Sequence, residues 1–397
     1  MTLRLPVFLY AVLLLFFASC SKKEKKVAFT PAVKDTLVRM RPFKPAPNGT
    51  TQEYIAEKHA AIDKFVNKVW RNNSDNLSFM VVKDGKILYE KYQGVADKKR
   101  NIAMAADTPL HIASVGKVLT ATAILELVDA GKIELDQKVN TILTNFPYPE
   151  ITVKTLLNHR SGLQNYAYFT DQSHIWDKSK VLTNQDVLDL YIEHNLALNF
   201  ETDRKFTYCN TNYVMLALII EKITGLTYPQ AMQEMIFTPL GMNDTYVFEF
   251  DKHHQTAIPS YAGNREIPFD FLDGTYGDKN IYSTPRDLMK FDMARYSPNH
   301  LNPKLKKKVY VGYSYEHKGE KNYGLGIRII EWVTGQHFYF HNGWWHGNTA
   351  SYVNLRKEQV MIIALTNKYS TKPYKVRLLA TLFGDYPFDL GKDDVFN

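Results

Sequence analysis

Segments with the composition and spacing of β-strands lie at both ends of this chain, and a long stretch that reads as helix separates them. From Leu77, "LSFMVVKDGKILYEKYQGVA" holds two β-rich runs joined at Asp84-Gly85, a dipeptide that suits a two-residue hairpin turn. Far along the chain, "YGLGIRIIEWVTGQHFYFHNG" and "TASYVNLRKEQVMIIALTN" each read as two strands around a turn. Between them, from Ser114 to about Tyr296, helical patterns dominate. "TNYVMLALIIEKITG" is apolar on nearly every side and stops at Gly225, and "TPRDLMKFDMARY" carries proline at a helix start. The expected fold class is therefore α/β in the α+β sense. An antiparallel sheet is assembled from distant segments and flanked by a helix over 52–70 and another over "KPYKVRLLATLFG", with an all-α lobe inserted. The junction of the two is where a substrate is expected to bind.

The first residues, "MTLRLPVFLYAVLLLFFASCSKKEKK", run from a basic residue through a short apolar segment to small residues before a cysteine, the order of an export signal. "FASC" resembles the lipobox of bacterial lipoproteins. That makes residues 1–19 the expected signal peptide, Cys20 the lipidated residue, and 20–50, rich in proline and lysine, a spacer. Residues 51–397 are expected to form a single catalytic domain, with the α/β layer from about 51–110 and 300–397 and the lobe from about 111–299. With Cys20 lipidated, Cys209 is left without a disulfide partner, so packing must hold the domain together. The formal charge of +8 is partly concentrated in "SKKEKK", suited to anionic head groups. There is no basic-aromatic array of the kind that binds nucleic acid.

Ser114-Val115-Gly116-Lys117 opens a long apolar helix. Serine at such a position ordinarily caps and lysine ordinarily snorkels, but residues three apart on a helix are neighbours, so this pair can also be a nucleophile with its base. Ser19 and Lys22 repeat the pattern where no helix can hold them. A hydrogen-bonding pair further along is supplied by Tyr208-Cys209-Asn210, directly before an apolar helix. Ser74-Asp75-Asn76 and Tyr352-Val353-Asn354 spell similar pairs in the wrong contexts, a polar link and a late strand. A third element, His341-Asn342-Gly343, ends a strand, where Gly343 lets backbone approach a ligand closely.

With "IASVGK", "YCN" and "HNG" in that order, the chain resembles the serine β-lactamase-related family of class C β-lactamases, D-alanyl-D-alanine carboxypeptidases, D-aminopeptidases and esterases. The resemblance runs from about Leu77 to Asn367 and takes in "TVKTLLNHRSGL", "IFTPLGMNDT" and "YSTPRDLMKF". It implies the β-lactamase and penicillin-binding-protein fold, a serine at the lobe junction, and hydrolysis of an ester or amide through an acyl-enzyme on Ser114. The partner is a small-molecule or peptide substrate, and neither metal nor organic cofactor is required. Lys117 and Tyr208 would move protons as a coupled pair. Asn210 would orient Lys117 and the substrate amide, and His341 would donate to substrate or to Tyr208. The backbone N–H groups of Ser114 and Trp344 would form the oxyanion hole.

Two departures bear on substrate. Relatives commonly have lysine and a hydroxyl residue where this chain has His341 and Asn342, which predicts weaker attraction for a substrate carboxylate and a preference for neutral esters. If a carboxylate is recognised, Arg160 or Lys279 is expected to supply the charge. Trp344 and Trp345 are expected to form an aromatic wall or to pack at the junction.

Overall fold

The computed structural model describes residues 37–71, 75–172, 174–316 and 319–388, all within a compact unit that begins at Leu37. Cys20 and the expected signal peptide lie outside the described residues. Folded structure begins earlier than the expected boundary at 51. Met40 is buried and its N–H donates to the Met235 carbonyl, while the Asn48 N–H and the Thr50 hydroxyl both donate to Asp84. Met40, Asn48 and Thr50 of the expected spacer are thus tied to the domain.

Helix α1 (Gln52–Val69) starts at Thr51, whose side chain accepts from the Tyr54 N–H. The hairpin of β1 (Leu77–Lys83) and β2 (Lys86–Gln93) turns at Asp84 and Gly85, both at positive φ (50° and 70°), the geometry that Asp-Gly tolerates. The later strands are β3 (Lys321–Tyr323), β4 (Arg328–Glu331), β5 (His337–Trp345), β6 (Asn348–Leu355) and β7 (Val360–Thr366). Among the described residues they form one seven-stranded sheet, in the order β3-β4-β5-β6-β7-β1-β2 with every pair antiparallel. The two ends of the chain meet where β7 pairs with β1, Met80 opposite Ile363.

Strand alternation divides the core. Phe79 and Val81 face α1 and the C-terminal segment, joining Ile62, Val66 and Leu379; Met80 and Val82 face the lobe. The lobe is built around α2 (Gly116–Asp129) and α3 (Thr211–Thr224), both buried along most of their length. Helix α3 ends at Gly225 in the left-handed region (φ 69°), as its sequence signals. Helix α4 (Pro285–Ala294) begins with Thr284 accepting from the Asp287 N–H.

The helix expected at the C-terminus is present, Lys372–Leu382, wound as 3-10 helix, and one expectation is corrected. The lobe region is not wholly helical: Ile281–Ser283 pairs with Leu110–His111 on one side and Tyr246–Val247 on the other, and Ser260–Ala262 pairs with Arg265–Ile267. These strands are two or three residues long, too short for a period to show in sequence.

Candidate active site

Ser114 sits on a 3-10 turn, Ala113–Val115, that runs directly into α2. Ala113 has φ 48°, a left-handed conformation uncommon outside glycine, so the chain bends sharply into the serine. His111 braces that bend: its Nδ1 accepts from the Ala113 N–H at 3.1 Å, and its Nε2 meets Asn280 Oδ1 at 2.9 Å. Asn280 in turn donates to the Asp273 and Thr275 carbonyls.

Lys117 is fully buried. Its Nζ lies 3.0 Å from Ser114 Oγ and donates to the Asp278 carbonyl at 2.6 Å. The rings of Tyr208 and Tyr213 stand over the same ammonium at 5.2 and 5.6 Å. The three residues expected to perform the chemistry therefore converge. Tyr208 is held from behind by the His159 ring, with centroids 4.4 Å apart. His159 is fixed by bonds to its Nδ1 from the Cys209 N–H and the Asn212 amide, and burial, with Lys117 and Arg328 nearby, drives its pKa well below that of an ordinary imidazole. Asn210 stands at the start of α3, and its side-chain oxygen is buried with no hydrogen-bond partner among the described residues.

Strand β5 closes the site from the sheet side. Gly343 has no room for a side chain, since a β-carbon there would meet the Ile112 carbonyl at 2.6 Å and the Ser114 nitrogen at 3.0 Å. Pairing between β4 and β5 stops at Phe340, so on that side the strand from His341 to Trp345 has no strand neighbour within the sheet. Tyr374 ties the C-terminal segment to this strand by donating to the Gly343 carbonyl.

His341 points inward and is fully buried, with Nε2 3.1 Å from the Tyr323 hydroxyl and Nδ1 2.9 Å from the Asn342 carbonyl. Burial, reinforced by Arg328 and Lys117, pushes its pKa well down, so it is a neutral ring bound inside the protein. Trp344 and Trp345 do not form one wall, because strand alternation sends them to opposite faces. Trp344 is 58% exposed and meets Tyr369 edge-on, whereas Trp345 donates to Asp273.

The basic residues sort differently from expectation. Arg160 is committed to structure, bonded to Asp203, Glu316 and the Tyr313 carbonyl. Lys279 is buried on Tyr166, Thr275 and the Leu272 carbonyl. A cation that the sequence reading missed, Arg328, stands against the Tyr208 ring. Its guanidinium lies 4.6 Å from the Tyr208 ring centre, and among the described residues no carboxylate is within ion-pair distance of it. Arg328 lines a cavity of about 520 Å³ with Asn342, Ser351, Lys321, Tyr374 and Arg377.

Tyr352 and Asn354 are structural, both donating to the buried Asp292. Asp270, Asp273 and His346 bring three donor groups within 4.8 Å of one another. The Asp273 oxygens already accept from Trp345, His346 and the Asp270 N–H, which accounts for the cluster without a metal.

The chain matches the beta-lactamase family over residues 61–383. It belongs to that family. Penicillin-binding protein 4* of Bacillus subtilis is 28% identical over 337 residues, 79% of this chain and 74% of the relative. D-aminopeptidase of Cereibacter sphaeroides is 25% identical over 290 residues, 72% of this chain but only 55% of that longer protein. The fold agrees with the crystal structure of a penicillin-binding protein from Bacillus halodurans at a TM-score of 0.69, with 23% identity, covering 81% of this chain and 98% of the other. The beta-lactamase family member described here is accordingly a serine hydrolase of the antiparallel-sheet and helical-lobe fold.

Proposed function

We propose that this beta-lactamase family protein is an exported lipoprotein that forms its acyl-enzyme on Ser114 and hydrolyses amides or esters carrying a carboxylate beside the scissile bond. The observation that carries the chemistry is the 3.0 Å approach of a buried Lys117 ammonium to Ser114 Oγ. In this reading the Lys117–Tyr208 pair takes the serine proton as Oγ attacks the substrate carbonyl. The N–H groups of Ser114 and Trp344 receive the developing oxyanion at the close contact of Gly343 with the serine turn. The coupled pair then protonates the leaving group and activates the water that frees the acyl group. Asn210, with its unpartnered oxygen, is a positioning group for the substrate amide or for Lys117. His341 acts at one remove, by holding Tyr323.

Arg328 reverses the expected preference for neutral esters. A permanent cation stacked on the Tyr208 ring offers what the missing lysine would have offered. This favours a D,D-carboxypeptidase-like activity in the cell envelope, in keeping with the relative named as a penicillin-binding protein. The anchor is Cys20.

The test is labelling of the soluble domain with a fluorophosphonate probe, followed by rates on nitrocefin, a D-alanyl-D-alanine peptide and p-nitrophenyl acetate. Labelling at Ser114, lost in Lys117→Ala and Tyr208→Phe, with saturable turnover of a carboxylate substrate, is expected. Complete inertness toward the probe and all three substrates would identify a binding lipoprotein that keeps only the fold.

A further inference from the structure

His159 grips Tyr208 from both sides along the chain. Its carbonyl accepts the Thr207 N–H at 3.0 Å and its ring Nδ1 accepts the Cys209 N–H at 3.2 Å, so both chain neighbours of Tyr208 are tied to this one residue. Between those two bonds the imidazole lies on the Tyr208 ring, with centroids 4.4 Å apart and planes at 40°. Among the described residues the Tyr208 hydroxyl makes no hydrogen bond, and its ring meets the rings of Tyr323 and His341 and the cations Lys117 and Arg328. Ring contacts tolerate sliding and rotation, whereas hydrogen bonds on either side of a residue fix where its side chain can point.

The residue type suits that task. At φ 59° His159 sits in the left-handed region, where histidine is one of the few side chains enriched. Asn212 turns its Oδ1 to the Ser161 hydroxyl at 2.6 Å, which leaves its amide N–H to donate to His159 Nδ1 at 3.1 Å. Two donors on Nδ1 place the ring proton on Nε2, which is buried with no partner among the described residues. A ring kept only to fill space would be apolar and would leave no such N–H unpaired. What an apolar ring lacks is the acceptor that ties down Cys209. We propose that His159 is a positioning residue of the reaction, holding Tyr208 at the distance and direction from Lys117 at which the pair can pass a proton. This rests on the reading of Tyr208 as a proton carrier.

Losing the grip should show in the chemical step. A misplacement of about 1 Å can cost about 100-fold, so His159→Ala is expected to lower kcat on p-nitrophenyl acetate by roughly 30–100-fold with KM within about threefold of wild type. His159→Asn keeps an acceptor at the δ position and tolerates the positive φ but lacks the ring face, and it should recover to about 3–10-fold below wild type. Neither substitution should matter once the hydroxyl it serves is gone. In the Tyr208→Phe background each should change the rate of fluorophosphonate labelling by less than about threefold, while in the wild-type background the labelling rate falls as kcat does. Damage to the fold would instead lower labelling alike in both backgrounds, together with Tm. If His159→Ala does not fold, the His159→Asn comparison decides. Equal losses in the two backgrounds, or no loss in the variant that decides, overturn the proposal. A Tyr208→Phe enzyme with wild-type rate would remove the reading of Tyr208 beneath it, and the proposal with it.

Discussion

Gly343 and Ser114 touch backbone to backbone, and a β-carbon on the glycine would lie 3.0 Å from the serine nitrogen. The same β-carbon would lie 2.6 Å from the Ile112 carbonyl, and main chain cannot swing aside as a flexible side chain would. Gly343→Ala should therefore push β5 away from the serine turn and separate the two proposed oxyanion donors. A drop of roughly 100-fold in kcat is expected, the cost of losing one such donor. Trp344→Ala keeps its N–H and should stay within about tenfold of wild type. Equal losses in the two variants would mean that the Trp344 side chain, not the backbone geometry, limits the rate.

Arg328 is the residue on which substrate choice should turn. A charge-assisted hydrogen bond to a carboxylate is worth about 1.5–3 kcal/mol, or roughly 10–100-fold in kcat/KM. Arg328→Gln should lose that factor on a D-alanyl-D-alanine peptide while changing p-nitrophenyl acetate turnover by less than about threefold. Parallel losses on both substrates would assign Arg328 to supporting the Tyr208 ring instead.

What could be read in the sequence was local. Asp84-Gly85, the stop at Gly225, and Ser114 with Lys117 one turn on all depend on neighbours a few residues apart, and the structure places them as their spacing implies. The parts that escaped depend on contacts across the chain. Arg328 opens an ordinary strand, and only the end of pairing at Phe340 leaves it beside Tyr208. Asp278 meets Lys117 through a carbonyl, a group every residue has. His341 lies in the middle of β5 rather than at the strand end where pattern reading placed it and aimed it at the substrate, and both ring nitrogens are occupied within the protein. The bend at Ala113 is likewise silent in sequence, because alanine gives no sign of a positive φ.

Anchoring through Cys20 is tested outside the folded domain. Cys20→Ser should move the protein from the membrane fraction to the soluble one with its hydrolytic rate unchanged, because in this reading the lipid on Cys20 is the anchor and lies outside the folded domain. Retention in the membrane after signal cleavage would point to another anchor.

His111 gives the site a defined acid sensitivity. Asn280 Oδ1 can only accept, so the ring carries its proton on Nε2 and leaves Nδ1 to accept from the Ala113 N–H; the tautomer follows from these partners. A second proton on Nδ1 would cancel that bond at the residue before the nucleophile. The protein resists this: burial pushes the His111 pKa down to about 4, with the Asn280 bond and Asp273 opposing and Lys279 and His346 assisting. Above about pH 6.5 the ring is neutral whether the chain is folded or unfolded, and it adds no pH dependence. As pH falls from there toward 4 the unfolded chain takes up the proton and the folded one does not, so stability is lost across that window, by about 3 kcal/mol from this group. Below about 4 the folded state also protonates and the loss levels off. Urea unfolding at pH 7.5, 6, 5 and 4 should show the decline. His111→Gln, whose amide oxygen is able to accept from the Ala113 N–H, should flatten its share of the slope, leaving what His159 and His341 contribute through the same mechanism. An unchanged slope in His111→Gln would show that the imidazole takes up its proton alike in the folded and unfolded chains, and the Ala113 turn would then need another support below that pH.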